Sequence, residues 1–199
     1  MFNFKNSFLH SQINLQIGKH IKHKEAGVTN IQVAIVTLVG VVLLLGALGG
    51  FRFVTQAKVS NEMTTLADLR AAVVRYGQFT GTFTTANTTV PILAGFNAFA
   101  SSTLTITTNA QATTVTNQWG GTVTSDVGTN NAVGDAIAFT FNGVPKAACR
   151  ELGTQVDNIA AKVVINATTT KNTGAATDGS SVNTACNTDS NTMIYHLAR

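Results

Sequence analysis

The run Gly27–Phe51 (GVTNIQVAIVTLVGVVLLLGALGGF) contains no Asp, Glu, Lys, Arg or His, and from Ile31 it is almost wholly Val, Ile, Leu, Ala and Gly. About 20 consecutive apolar residues suffice for a helix to cross the hydrocarbon core of a bilayer. A segment of this kind needs lipid or like helices around it. It reads as one apolar helical stem that sits in a membrane and can later be packed elsewhere.

Charge locates the flanks of that stem. The 199-residue chain carries a formal net charge of +4, which by itself would invite a nucleic-acid reading. Residues 1–27, however, hold Lys5, Lys19, Lys22 and Lys24 against Glu25, a net of +3, whereas from Val28 onward nine basic residues meet eight acidic ones. A basic segment before an apolar span marks a cytoplasmic flank, so no nucleic-acid partner is expected. Charged residues make up only 11% of the chain, and the part beyond residue 80 is rich in Thr, Asn, Ala and Gly. That composition suits an exported strand-and-loop domain better than a cytosolic enzyme.

Three fates of the N-terminus are open from this stretch alone. Cleavage after Gly49 would discard the apolar run, cleavage after Gly27 would keep it, and no cleavage would leave a single-pass anchor. Residues 51–79 favour keeping it. Val59, Met63, Leu66, Leu69 (or Ala72), Val73 and Tyr76 recur at steps of three and four, one stripe of an amphipathic helix. Lys58, Glu62, Asp68, Arg70 and Arg75 are expected on the opposite face. No proline interrupts Val28 to Gly77, and the weak point is Gly49-Gly50, where each glycine costs about 1 kcal/mol relative to Ala. The whole reads as one helix of roughly 50 residues, about 75 Å long.

Beyond Gly77 the pattern changes. Gly81, Pro91 and Gly95 punctuate a Thr-rich loop region to about residue 102. Thr103–Thr108, Thr113–Gln118, Thr122–Thr124, Asp135–Asn142, Ala160–Ile165 and Met193–Leu197 read as strands. Trp119-Gly120-Gly121 reads as a turn. Val144–Asp157 returns to helical spacing, with Pro145 at a plausible first helical position. Residues 167–192 read as one long loop, a length uncommon unless the segment is functional or tied down.

Cys149 and Cys186 both fall in the presumed exported part, where an oxidising compartment lets thiols pair. A structural disulfide is the reading, with two buried thiols or a redox pair as the alternatives. Its 37-residue loop would stabilise by roughly 4 kcal/mol on the chain-entropy model. No metal set, nucleophile elbow or phosphate loop is evident. No catalytic residue, metal site or cofactor is therefore expected, and His196 reads as a structural strand residue. A calcium site among the aspartates of the long loop stays open.

This arrangement resembles the type IV pilins, specifically the type IVb group and its PilS-like branch. The likeness rests on the basic leader ending at Gly27, the apolar stem from Val28, the continuous amphipathic helix, and the late cysteine pair. Asn117-Gln118-Trp119-Gly120-Gly121, Gly143-Val144-Pro145 through Cys149, and Ala185-Cys186-Asn187 add to it. The resemblance implies an α+β fold: a long N-terminal helical stem (28–79) packed on an antiparallel β-sheet head (80–199) with a disulfide-closed C-terminal region (149–186). Residues 28–53 would be the membrane and filament-core stem, and 54–79 the amphipathic half. The resemblance also implies cleavage after Gly27 by a prepilin peptidase, methylation of Val28, and polymerisation with copies of itself. The assembly ATPase and its inner-membrane platform would then be partners. The precursor would sit in the inner membrane with its N-terminus cytoplasmic, and the product in an extracellular filament for adhesion, aggregation or conjugative contact.

The chain departs from the family pattern at Gln32, the fifth residue after the cut, where most such pilins carry Glu. Gln32 accepts a hydrogen bond but offers a neighbour's N-terminal amine no charge. Gly49 and Gly50 are assigned the local loosening that a proline supplies elsewhere in the family. A pseudopilin of a type II-like secretion system and a single-pass anchored binding domain are the alternative readings.

Overall fold

The computed structural model describes residues 54–101, 103–110 and 112–199. Gly27, Val28, Gln32, Gly49 and Gly50 lie outside the described residues, as does the apolar run. Among the described residues no helix is long and apolar enough to cross a membrane.

Helix α1 covers residues 54–80. Its buried positions are Val59, Glu62, Leu66, Leu69, Val73 and Tyr76, with Thr65 and Ala72 beside them. Steps of three and four along one face are what a 3.6-residue repeat requires. Met63, expected in this stripe, is only half-buried. Glu62, expected on the polar face, takes the central buried place instead. Helical geometry explains the exchange: Val59, Leu66, Leu69, Val73 and Tyr76 centre on the direction of position 62, whereas position 63 lies about 90° to one side, and a polar neighbour satisfies the carboxyl.

The stretch expected to be all loop after α1 contains a short helix, α2 (Val90–Gly95), with Pro91 in its first turn, where a missing N–H costs nothing. Among the described residues seven strands follow: β1 (Thr105–Thr108), β2 (Thr113–Thr116), β3 (Thr122–Thr129), β4 (Val133–Val144), β5 (Lys162–Ile165), β6 (Thr168–Lys171) and β7 (Asn191–Ala198). Between β4 and β5 lie α3 (Lys146–Gln155) and one 3₁₀ turn, Val156–Asn158; α4 (Gly179–Ala185) lies between β6 and β7. Pro145 is the residue before α3 rather than its first, in extended conformation.

The strands form one antiparallel sheet in the order β1-β2-β3-β4-β7-β5-β6. In register, Phe139 faces Tyr195, Phe141 faces Met193 and Ile137 faces Leu197 across β4 and β7. On β5, Val163 and Ile165 continue these rows to Tyr195 and Met193. All eight side chains are buried. Alternation sends the other set outward, and Thr105, Thr107, Thr114, Thr122 and Thr124 are exposed. One core therefore lies between the inner face of the sheet and the buried stripe of α1, joined by Leu93, Phe99 and Leu152. Edge-to-face ring pairs, Phe99 with Phe139 and Phe141 with Tyr195, knit it.

Residues 167–192, expected as one long loop, hold β6 and α4. Their Thr, Ser and Asn content hid them, because hydrophobic periodicity is weak where few large apolar side chains occur.

Candidate functional site

The first constellation is the seam between α1 and the turn joining β2 to β3. The Asn117 side chain organises that turn: Oδ1 accepts from Trp119 N and Gly121 N, both at 3.0 Å, and Nδ2 donates to Asn142 O at 2.8 Å. Gly120 takes φ +81°, a left-handed conformation that glycine adopts freely. The turn then presents Gln118 to α1. Gln118 Nε2 donates to Lys58 O and to Glu62 Oε2, each at 2.8 Å, and Lys58 Nζ donates back to Gln118 O at 3.3 Å.

Glu62 is fully buried, and its Oε1 has no hydrogen-bond partner among the described residues. Burial pushes its carboxyl up to about 7, against the opposing hydrogen bond from Gln118. A carboxyl in that range exchanges its proton near neutral pH.

The second constellation is the C-terminal region. Cys149 on α3 and Cys186, just past α4, form a disulfide with Cα atoms 5.8 Å apart, and both are fully buried. The bond ties the end of α4 to α3. The two helices meet closely at Gly153, where an added Cβ would lie 2.7 Å from Val182 Cγ1. Asp157, in the 3₁₀ turn, collects the loop before α4. Its Oδ1 accepts from Thr177 N at 2.8 Å, from the Thr177 hydroxyl, and from Lys171 Nζ at 3.3 Å. The Thr177 hydroxyl, its backbone N–H and Lys171 together hold this carboxyl below the ordinary Asp value, despite burial acting the other way. Asp178 caps α4 through Ser180 N. These two aspartates are thus engaged in structure, and the described residues contain no cluster of His, Cys, Asp or Glu able to hold a metal ion.

A third feature is apolar and exposed. Phe79 is 79% exposed and Phe96 52%. Phe96 packs on Tyr76 with ring centroids 4.6 Å apart, leaving a cleft of about 170 Å³ between α1 and the end of α2. His196 meets Thr129 N at 3.0 Å through Nδ1, a structural contact that needs the neutral ring.

Of the residues singled out from sequence, Cys149 and Cys186 come together. The polar seam at Glu62 and Gln118 was missed because a glutamate at helical spacing reads as solvated. The Asp157, Lys171 and Thr177 knot was missed because Asp157 lies 14 and 20 residues before its two partners, outside the polar segment that holds them.

The family model described as PilS N terminal matches residues 56–198. Among solved structures, a type IV b pilin from Salmonella typhi is similar, with a TM-score of 0.52 and 20% identity over 70% of this chain and 99% of that one. TcpA, a type IV pilin from Vibrio cholerae El Tor biotype, gives a TM-score of 0.49 and 14% identity over 70% and 98%. None of the curated proteins matches.

Proposed function

The chain belongs to the PilS family, and on that premise we propose that it is the structural subunit of a type IVb pilus. The observation that carries the reading is the family match over residues 56–198, which covers an α+β head with the fold of a type IVb pilin. An apolar run of the length a bilayer requires precedes that head in the sequence.

In this reading a prepilin peptidase cuts after Gly27, Val28 is methylated, and the stem waits in the inner membrane with the head outside. An assembly ATPase and its membrane platform then drive transfer of the stem from lipid into a bundle of like stems. A helix that is apolar all round is satisfied in either setting. Gln32 docks through a hydrogen bond alone, and Gly49-Gly50 lets the stem loosen. The role is structural rather than catalytic, and the filament serves adhesion, aggregation or conjugative contact.

Intact mass and N-terminal sequencing of membrane and sheared-surface fractions test this. A chain beginning at methylated Val28 in the sheared fraction is expected. A chain beginning at Met1 and confined to membranes would leave an anchored domain and end the pilus reading. Replacing Gly27 with a bulky residue should block maturation.

A further inference from the structure

A cleft of the head opens between α1, the turn after β6 and the end of β7. It has a volume of about 620 Å³, within the range of sites that take small molecules. Three cations line it, Arg70, Lys171 and Arg199, against a single acidic residue, Asp157.

The charges are not equivalent. Lys171 donates to Asp157 O at 3.1 Å, Asp157 Oδ1 at 3.3 Å and Ala175 O at 2.8 Å, which occupies all the protons of its ammonium. Asp157 is likewise engaged by Thr177 and Lys171. Arg70 gives one contact, to Asn158 O, and keeps its other N–H groups available. Among the described residues Lys171–Asp157 is the one ion pair, so neither arginine has a carboxylate partner. The cleft thus carries a net positive charge, with two guanidiniums outside any ion pair among the described residues, the side chains best suited to forked contacts with oxyanions.

The walls are set in advance. The Thr173 hydroxyl donates to Asn130 O at 2.9 Å, Lys171 fixes the turn at Ala175, and Arg70 fixes the turn at Asn158. The Arg199 stem lies on α1 at Gly77, where an added Cβ would be 3.2 Å from Arg199 Cβ and 3.3 Å from Cδ. Preorganisation lowers the ordering cost of binding. Apart from Ile159, the remaining lining is alanine, Gly174 and the polar Asn130 and Asn158, with no aromatic ring. Such a surface admits a polar ring and gives an apolar ligand no anchor.

We propose that this cleft binds an acidic saccharide, a sugar carrying a carboxylate or sulfate, with Arg70 and Arg199 receiving the oxyanion. The site belongs to the head itself and does not depend on polymerisation.

The test uses the full chain in nonionic detergent, titrated by calorimetry and by NMR shifts. Sialyllactose, a sulfated disaccharide, lactose and inorganic sulfate are the probes. A charged saccharide should bind with a dissociation constant on the order of 1 mM, weaken with added salt, and lose at least tenfold in affinity in Arg70→Gln/Arg199→Gln. Arg75→Gln, an exposed cation on α1 outside this cleft, should leave binding unchanged. Lactose binding as well as the charged probes, inorganic sulfate binding as tightly, or equal loss in Arg75→Gln would each overturn the assignment. So would the absence of saturable binding by either charged saccharide. Both arginines are exposed, and an unchanged melting temperature in the double variant separates loss of binding from loss of fold.

Discussion

Gly121 passes so close to Asn142 that a Cβ on it would lie 1.7 Å from the Asn142 carbonyl oxygen. Both sides of that contact are backbone, so no rotamer change relieves it. Gly121→Ala is expected to cost about 3 kcal/mol or more through forced backbone shifts. Gly120→Ala meets open space and bears only its left-handed φ of +81°, about 1–2 kcal/mol. Urea unfolding of both variants checks this; equal losses would refute the close approach.

Glu62 makes stability depend on pH in an unusual direction. Its carboxyl stands at about 7 in the fold against an ordinary 4.5, so between those values the folded chain holds a proton that the unfolded chain has released. Stability from this group therefore falls as pH rises from 4.5 to 7, by roughly 3 kcal/mol, and levels above. Glu62→Gln keeps an acceptor for Gln118 and should abolish the slope, so its advantage over the native chain grows from pH 5 to pH 8. Tyr195, pushed well up by burial and then by the Glu62 charge, does not titrate there. His196, lowered by burial and then by Lys162, loses stability in the opposite direction, as pH falls below 6.5. Parallel pH profiles for native and variant chains would contradict the Glu62 account.

Removing the disulfide with Cys149→Ser and Cys186→Ser should cost about 2–5 kcal/mol. The loss should show first in α4, a seven-residue helix too short to persist unaided. Hydrogen exchange is expected to rise across Gly179–Ala185 before it rises in β4 or β7.

Asp157→Asn should loosen residues 172–178 while leaving the sheet intact. It weakens the partner of the buried Lys171, but the Asp157 side chain is itself 39% exposed. That exposure limits the expected cost to about 1–2 kcal/mol. Faster amide exchange at Thr177, with unchanged exchange in β7, is the expected readout. Because the carboxyl sits below its ordinary value, this contribution is present above about pH 4 and fades as the pH falls further.

Legibility followed side-chain size. Asp135–Asn142 and Met193–Leu197 alternate large apolar residues with small or polar ones, and both appear as central strands in register. The α1 stripe was readable for the same reason, though Glu62 was misplaced: it sits buried within the stripe, with Met63 partly buried against the core beside it, and only a distant glutamine makes that tolerable. Where Thr, Ser and Asn dominate, as in β6 and α4, structure depends on caps and cross-chain hydrogen bonds. Asn191, for example, is fully buried yet binds Val144 O, Thr188 O and Asn166 Nδ2. Two of these partners, Val144 and Asn166, lie tens of residues away and leave no local period to read.

The sheet order places β7 between β4 and β5, although it is the last strand in the sequence. Until Asn191–Ala198 has been synthesised, β4 lacks one of its neighbours and β5 can pair with β6 alone. The sheet therefore closes only once Asn191–Ala198 is in place, and a chain interrupted before it yields exposed strand edges rather than a smaller folded head.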